Sequence, residues 1–259
     1  HELRTPLNAI IGFAQMIAGE HTTTKHDEDV PEMDAKERIA YANLITNAGQ
    51  GLTKVIEDIL DMSKIEAGRY SLTIAPADLG AIIEESVQLM KLEAGQENIK
   101  LVNKAPQSID LPCDKYAVTR IMHNLLSNAV KFTKEGGKVT IKTDVREDGV
   151  TVCVEDNGIG ISQADIEKIG QPFEQVEDQM NKSHKGSGLG LSISKGIVEL
   201  HGGSLKIESQ PGSGTKVFFT LPQDFILTSG DEKGLSRKTL KTARKSAPKP
   251  RKIKQKLAS

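Results

Sequence analysis

The sequence predicts an α+β protein: an antiparallel helical hairpin followed by an α/β sandwich. Three observations point there. Two long segments near the start carry apolar residues three and four apart, the spacing of a coiled-coil seam. After Tyr70 the pattern becomes a mixture of short alternating runs and amphipathic stretches. These do not alternate regularly, as they would in a doubly wound sheet, so helices on one face of a mixed sheet fit better.

The first seam is Leu3, Leu7, Ile10, Ala14 and Ile17, a helix to about His21. Pro6 sits inside it, where a proline costs roughly 3 kcal/mol by removing an amide donor and crowding the preceding turn. HTTTKHDEDVPEMD reads as a loop. Asp34 caps a second helix that runs to about Ala67 and ends at Gly68, with the seam Ile45, Ala48, Leu52, Val55, Ile59 and Met62. Two narrow stripes bury little as one hairpin, and a dimeric four-helix bundle is the simplest remedy. SLTI (71–74) reads as a strand, Ala77 to Gly95 as a helix, KLVNKA as a strand and Asp114 to Lys131 as a long helix. KVTIKTDV and VTVCVED form a hairpin about EDG. A short helix starts at Ser162, a longer one covers about Gly188 to His201, and SLKIES and TKVFFTL are strands. The predicted divisions are a hairpin over 1–69, truncated at its N-terminus, a second domain over 70–227 and a disordered tail over 228–259.

The net charge of −1 hides an asymmetry. From Thr228 to Ser259 there are eleven Lys/Arg and two Asp/Glu, giving +9, so the preceding 227 residues carry −1 − 9 = −10. An acidic body offers no nucleic-acid surface, and the tail reads as a solvated extension. No apolar run approaches the roughly 18 residues of a membrane span. Cys113 and Cys153 lie in apolar stretches and read as buried reduced thiols, which fits a cytoplasmic protein.

Four stretches carry candidate chemistry. In IMHNLLSNAVKFT, residues Arg120, Asn124, Ser127, Asn128 and Lys131 share one helix face opposite Val118, Ile121, Met122, Leu125 and Ala129. Asparagine is a poor helix former, so that face is either simply solvated or aimed at a ligand's phosphates and metal. EDNGIGI sets a carboxylate at a strand end before two glycines, which is also a good turn. KGSGLGLSI runs three glycines into a helix start, an anion-binding arrangement that lacks both the P-loop ending and the strand of a dinucleotide fingerprint. QPGSGTKVFF places glycines before the last strand, where a turn is the plain alternative.

Taken in order, HELRTPL, NLLSNAVKFT, DNGIG, QPFEQ, GSGLGLSI and GSGTKVFF resemble the H, N, G1, F, G2 and G3 boxes of sensor histidine kinases. The resemblance covers His1 to about Leu221. It implies a dimerisation and histidine-phosphotransfer hairpin, then an ATP-binding domain of the type shared with gyrase, Hsp90 and MutL. In such kinases the histidine accepts the γ-phosphoryl of ATP, and the proline marks a bend below it. VIEDILDMSKIEAGRYSL and IGQPFEQVEDQMNKSHKGSGLGLS are similar to the alphaproteobacterial cell-cycle kinases of the DivJ and PleC type. That similarity implies a DivK- or PleD-like response regulator receiver as phosphate acceptor.

By the same resemblance His1 is the nucleophile and Glu2 the acid that orients its ring. Thr5, three residues after Glu2, marks phosphatase competence towards the response regulator. Asn128 matches a magnesium ligand, with Asn124 and Lys131 one turn to either side meeting phosphates. Asp156 matches the acceptor of the adenine amine, and Gly158 and Gly160 let the chain pass the base. Residues from about Gly170 to Gly188 form a lid over ATP, with Lys182, His184 and Lys185 as phosphate contacts and Phe173 packing it. Gly186, Gly188, Leu189 and Gly190 complete the anion site. His123 and His201 read as structural, the latter capping a helix where its partial charge suits the dipole.

Two other functions compete. One is an ATPase of the gyrase/Hsp90/MutL class driving conformational change, against which HELRTPL argues. The other is a scaffold without chemistry, against which His1, Glu2, Asn128 and Asp156 argue. Family members carry further helix ahead of the histidine, together with a sensor part that holds any membrane attachment. The chain as it stands is therefore expected to autophosphorylate poorly, because its first helix frays at the nucleophile.

Overall fold

The computed structural model describes residues 3–18, 33–172, 174 and 188–224. The start of the chain, the loop after the first helix, most of the predicted lid and the basic tail lie outside them.

Helix α1 (Arg4–Ala18) packs on α2 (Ala35–Glu66), with Phe13 stacked on Tyr41 at 5.7 Å between ring centres. Phe13 is near the end of α1 and Tyr41 near the start of α2, so the hairpin is antiparallel. Asp34 caps α2 through a reciprocal capping box with Glu37, and Gly68 leaves the helix with φ of 63°. The face of α1 turned to α2 is Pro6, Ala9, Ile10, Gly12 and Phe13. Of the predicted seam only Ile10 is on it; Leu3, Leu7, Ala14 and Ile17 are exposed. The α2 seam is half-buried along its whole length.

SLTI forms no strand. The strand begins after it, as β1 (Ala75–Asp78), which pairs antiparallel with β3 (Asp110–Cys113), an element the alternation did not reveal because Pro112 interrupts it. Asp78 then caps α3 (Leu79–Gln96) two residues later than its apolar pattern begins. A five-stranded sheet has the order β2-β4-β5-β7-β6, with β2 (Lys100–Asn103) parallel to β4 (Lys138–Arg146) and the other neighbours antiparallel. Glu147 and Asp148 turn β4 into β5 (Gly149–Asp156). Ser162 caps α5 (Gln163–Ile166), α6 (Gly190–Leu200) follows, and β6 (Ser204–Ser209) and β7 (Thr215–Pro222) finish the sheet.

One face of the sheet meets α3, α4 (Lys115–Phe132) and α6, and the core of this domain lies between them, built on Leu79, Ile83, Ile121, Leu126, Ile141, Ile193 and Phe219. The other face carries Lys142, Glu155 and Lys216 as an ion-paired row. Both cysteines are free and buried, and burial pushes the Cys113 thiol up to about 11. No helix among the described residues is long and apolar enough to cross a membrane.

Candidate active site

Helix α4 supplies the first wall. Its Asp114 cap accepts from the Ala117 amide at 3.0 Å and the Thr73 amide at 2.8 Å. Val118, Ile121, Met122, Leu125, Leu126, Ala129 and Val130 are buried against the sheet. That leaves Asn124, Ser127, Asn128 and Lys131 along the opposite side, as the sequence pattern predicts. Asn124 donates its amide to the Gly190 carbonyl at 3.1 Å and the Ser194 hydroxyl at 3.3 Å, which fixes the start of α6 against α4. Asn128 is exposed and has no hydrogen-bond partner among the described residues. Lys131 lies 5.0 Å from the Phe132 ring centre.

Asp156 ends β5 beside the C-terminal end of α4. Its Oδ1 accepts from the Gly158 amide at 2.8 Å and the Thr215 amide at 3.2 Å. Burial pushes its carboxyl above the ordinary value, the two amide bonds pull it back, and neighbouring Glu155 adds to the rise. Oδ2 has no donor among the described residues, so it is open to a ligand.

The fold itself requires glycine at 158 and 160. A Cβ on Gly158 would stand 2.1 Å from the Phe132 carbonyl oxygen, and one on Gly160, where φ is 69°, 2.0 Å from that of Gln210. The Ile159 amide bonds the Phe132 carbonyl at 3.1 Å, and Gly212 returns a bond to Ile159 at 2.7 Å. The end of α4, the DNGIG turn and the Gln210–Gly214 turn are thus one knot. Sequence reasoning missed Thr215 and Ser194; the only signals were their places just after Gly214 and one turn past Gly190.

The third wall is the start of α6. Gly188 has φ of 67°, Leu189 is fully buried as an anchor, and α6 begins without a side-chain cap. Thr5 is on α1 and exposed. His1, Glu2, Phe173, Lys182, His184, Lys185 and Gly186 lie outside the described residues. Arg120, which shares the face of Asn124 in the sequence, is engaged by Asp58 and Asp61 of α2 instead.

His201 corrects an expectation. Only 1% exposed, it accepts the Asp114 amide on Nε2 at 3.1 Å, and its Nδ1 lies 2.8 Å from the Ile197 carbonyl, so the ring is the neutral Nδ1–H tautomer. With Nε2 accepting a backbone amide the ring brings no charge to the helix dipole and serves the helix end by hydrogen bonding; burial lowers its pKa in the same sense.

Residues 1–68 match the His Kinase A (phospho-acceptor) domain, and residues 113–224 match the histidine kinase-, DNA gyrase B- and HSP90-like ATPase domain. The non-motile and phage-resistance protein of Caulobacter vibrioides is 42% identical over 86% of this chain, and histidine protein kinase DivJ of the same organism 36% over 86%. The chain spans only 26% and 36% of their respective lengths. Histidine kinase ThkA, solved in complex with the response regulator protein TrrA, is 27% identical with a TM-score of 0.63, over 86% of this chain and 59% of that one. With a phospho-acceptor hairpin joined to an ATPase domain of this kind, and relatives among the cell-cycle kinases of alphaproteobacteria, the chain belongs to the sensor histidine kinase family.

Proposed function

We propose that this chain transfers the γ-phosphoryl of ATP to His1 and from there to an aspartate of a response regulator receiver, with a DivK- or PleD-like receiver as partner. One observation carries the reading: Asp156, the Asn124–Asn128 side of α4 and the uncapped start of α6 surround one edge of the domain that follows a phospho-acceptor helix. The proposed divisions are the hairpin over 1–69, the ATP-binding domain over 70–227 and the tail over 228–259.

Asp156 Oδ2 accepts the adenine amine, while its Oδ1 stays tied to the turn. The amides of Gly188, Leu189 and Gly190 face the phosphates, joined by Lys131, Lys185 and Gly186. Asn124 holds the start of α6 where those amides are needed. The free amide oxygen of Asn128 suits a hard cation that keeps several waters, so this residue would hold Mg2+, which neutralises phosphate charge when bound.

Histidine is largely neutral near pH 7, so a ring nitrogen of His1 has its lone pair available. That nitrogen forms the bond to the γ-phosphorus as the bond to the bridging oxygen breaks, and ADP leaves with the electron pair. Glu2 receives the hydrogen bond of the other ring nitrogen and offsets the ring's positive charge. A receiver carboxylate then takes the phosphoryl from nitrogen. Thr5 positions water for hydrolysis of the receiver's aspartyl phosphate. Thr5→Ala should slow that hydrolysis and spare autophosphorylation; equal loss of both would indicate helix damage instead.

The outer face of the hairpin supports a homodimer, and the catalytic portion is placed in the cytoplasm, where ATP and receivers are. The test is label transfer from γ-labelled ATP. Acid-labile, alkali-stable label on the full-length protein, lost in His1→Gln, is the expected result. ATP hydrolysis with no such label would support a conformational ATPase and overturn the reading.

A further inference from the structure

Ser209 closes β6 directly opposite Thr215 of β7, and its hydroxyl is fully committed. It donates to the Gly214 carbonyl at 2.7 Å and accepts the Ile161 amide, 48 residues earlier in the chain, at 2.8 Å. Thr215 Oγ1 stands 2.9 Å away. A carbonyl can only accept and a serine hydroxyl carries one proton, so the Ser209 proton goes to Gly214. The bond between the two hydroxyls therefore runs from Thr215 to Ser209.

Thr215 is tied in turn to the candidate adenine contact. Its amide donates to Asp156 Oδ1 at 3.2 Å, beside the Gly158 amide at 2.8 Å. Gly214, at φ of 86°, passes so close that a Cβ there would stand 2.1 Å from the Asp156 carbonyl oxygen. Ser209, Thr215 and Asp156 thus form one corner. A hydroxyl is the adaptable member of such a group, since it can turn to donate to one ligand and accept from another. Here Ser209 removes that choice. With its proton given to Ser209, Thr215 Oγ1 has only lone pairs for any further partner, and ionised Asp156 likewise offers only an acceptor through Oδ2.

We propose that Ser209 is a positioning residue for the nucleotide base: it fixes Thr215 as an acceptor, so that the corner at Asp156 selects a base with an amino group and refuses one with a carbonyl in its place. The proposal deepens the ATP reading above and rests on it. Ser209 acts through Thr215 and Asp156, not by contact with the base. A carbonyl brought to this corner meets acceptors with no proton available to turn towards it. Without the Ser209 hydroxyl, the Thr215 proton is released to point at such a carbonyl. The Ile161 amide and the Gly214 carbonyl also lose the partner they share, which loosens the turn that holds Asp156.

The experiment uses the full-length protein and compares wild type, Ser209→Ala, Ser209→Cys and Ser209→Thr. The probes are ATP and inosine triphosphate, whose bases exchange an amine for a carbonyl on the same carbon. Calorimetric titration gives both affinities, and phosphohistidine formation gives KM and the saturated rate with ATP. Wild type should bind ATP the more tightly. In Ser209→Ala the ratio of the two affinities should fall about fivefold, the size of one hydrogen bond, and KM for ATP should rise by more than the saturated rate falls. Ser209→Thr keeps the hydroxyl and should keep the ratio. Ser209→Cys, whose thiol keeps the volume but bonds weakly, should fall between them, and it supplies the same reading if the alanine variant does not fold. Loss of both affinities in equal proportion would show that Ser209 only supports the turn and would overturn the proposal. A threonine variant that loses the ratio, or a wild type without preference, would overturn it too. If wild type binds neither nucleotide, the ATP reading itself is what has failed.

Discussion

Asp156 is tied to the fold, and in the proposed function the same side chain also meets the ligand. Its Oδ1 takes two backbone amides, and its Oδ2 is left open. Asparagine can keep the first arrangement, since its own Oδ1 accepts both bonds. It then turns an NH2 towards the adenine amine, donor against donor. A hydrogen bond to a charged acceptor is worth about 1.5–3 kcal/mol, so Asp156→Asn should weaken ATP binding by about tenfold or more without moving the melting temperature. Calorimetric titration showing less than a threefold change, with melting intact, would refute the assignment. The glycines beside it were legible as necessary, and the fold supplies a reason of its own for them. Their first constraint is the Phe132 and Gln210 carbonyls, which lie far from them in the chain.

Elements meet through a small polar hub that no local pattern announces. Asp114 caps α4 and holds the Thr73 amide, while its own amide donates to His201 at the end of α6. Nε2 can accept that bond only while unprotonated. Because burial lowers the folded pKa of His201, the unfolded chain takes up a proton below about pH 6.5 that the folded chain resists. Stability from this group is thus full above that pH and declines as pH falls through it towards the folded value. Wild type should lose denaturation midpoint between pH 7.5 and pH 5.5 by this route, to the extent of about that window. His201→Gln should flatten much of the slope, and an equal slope in the variant would show that His201 does not carry it. Element types along α2, α4, β4 and β5 follow from caps and periodicity. The 71–74 segment does not, because a short apolar alternation cannot say whether a partner strand exists; β3 begins to pair only at Ala75.

At the scale of the whole molecule, the hairpin leaves an apolar stripe unpaired. Leu3, Leu7 and Ile11 on α1 are 42%, 46% and 47% exposed, and Ile56 and Leu60 on α2 are 44% and 54%. Spaced four apart on each helix, they form faces that a second copy would cover in a four-helix bundle. Sedimentation should therefore find twice the chain mass in the micromolar range, and Leu60→Glu should shift it to the single chain. A wild-type protein that sediments as one chain at those concentrations would rule this bundle out.

By itself the sequence determined the helices, the strands of the five-stranded sheet, the stripe on α4 and the family, though not β1 and β3, because caps, periods and motif order are local properties of the chain. Partners distant in sequence were decided only by the tertiary structure. The α1 seam looked uniform in one dimension, yet packing divided it between Ile10 inside and Leu3, Leu7, Ala14 and Ile17 outside. His201 looked like a cap with a partial charge suited to the helix dipole, and burial made it a neutral hydrogen-bonding hub. Arg120 looked like part of the ligand face, and the fold brought it to Asp58 and Asp61, some sixty residues earlier. Periodicity reports which side of a helix a residue occupies, but the charge that waits on that side is set by how separate elements pack.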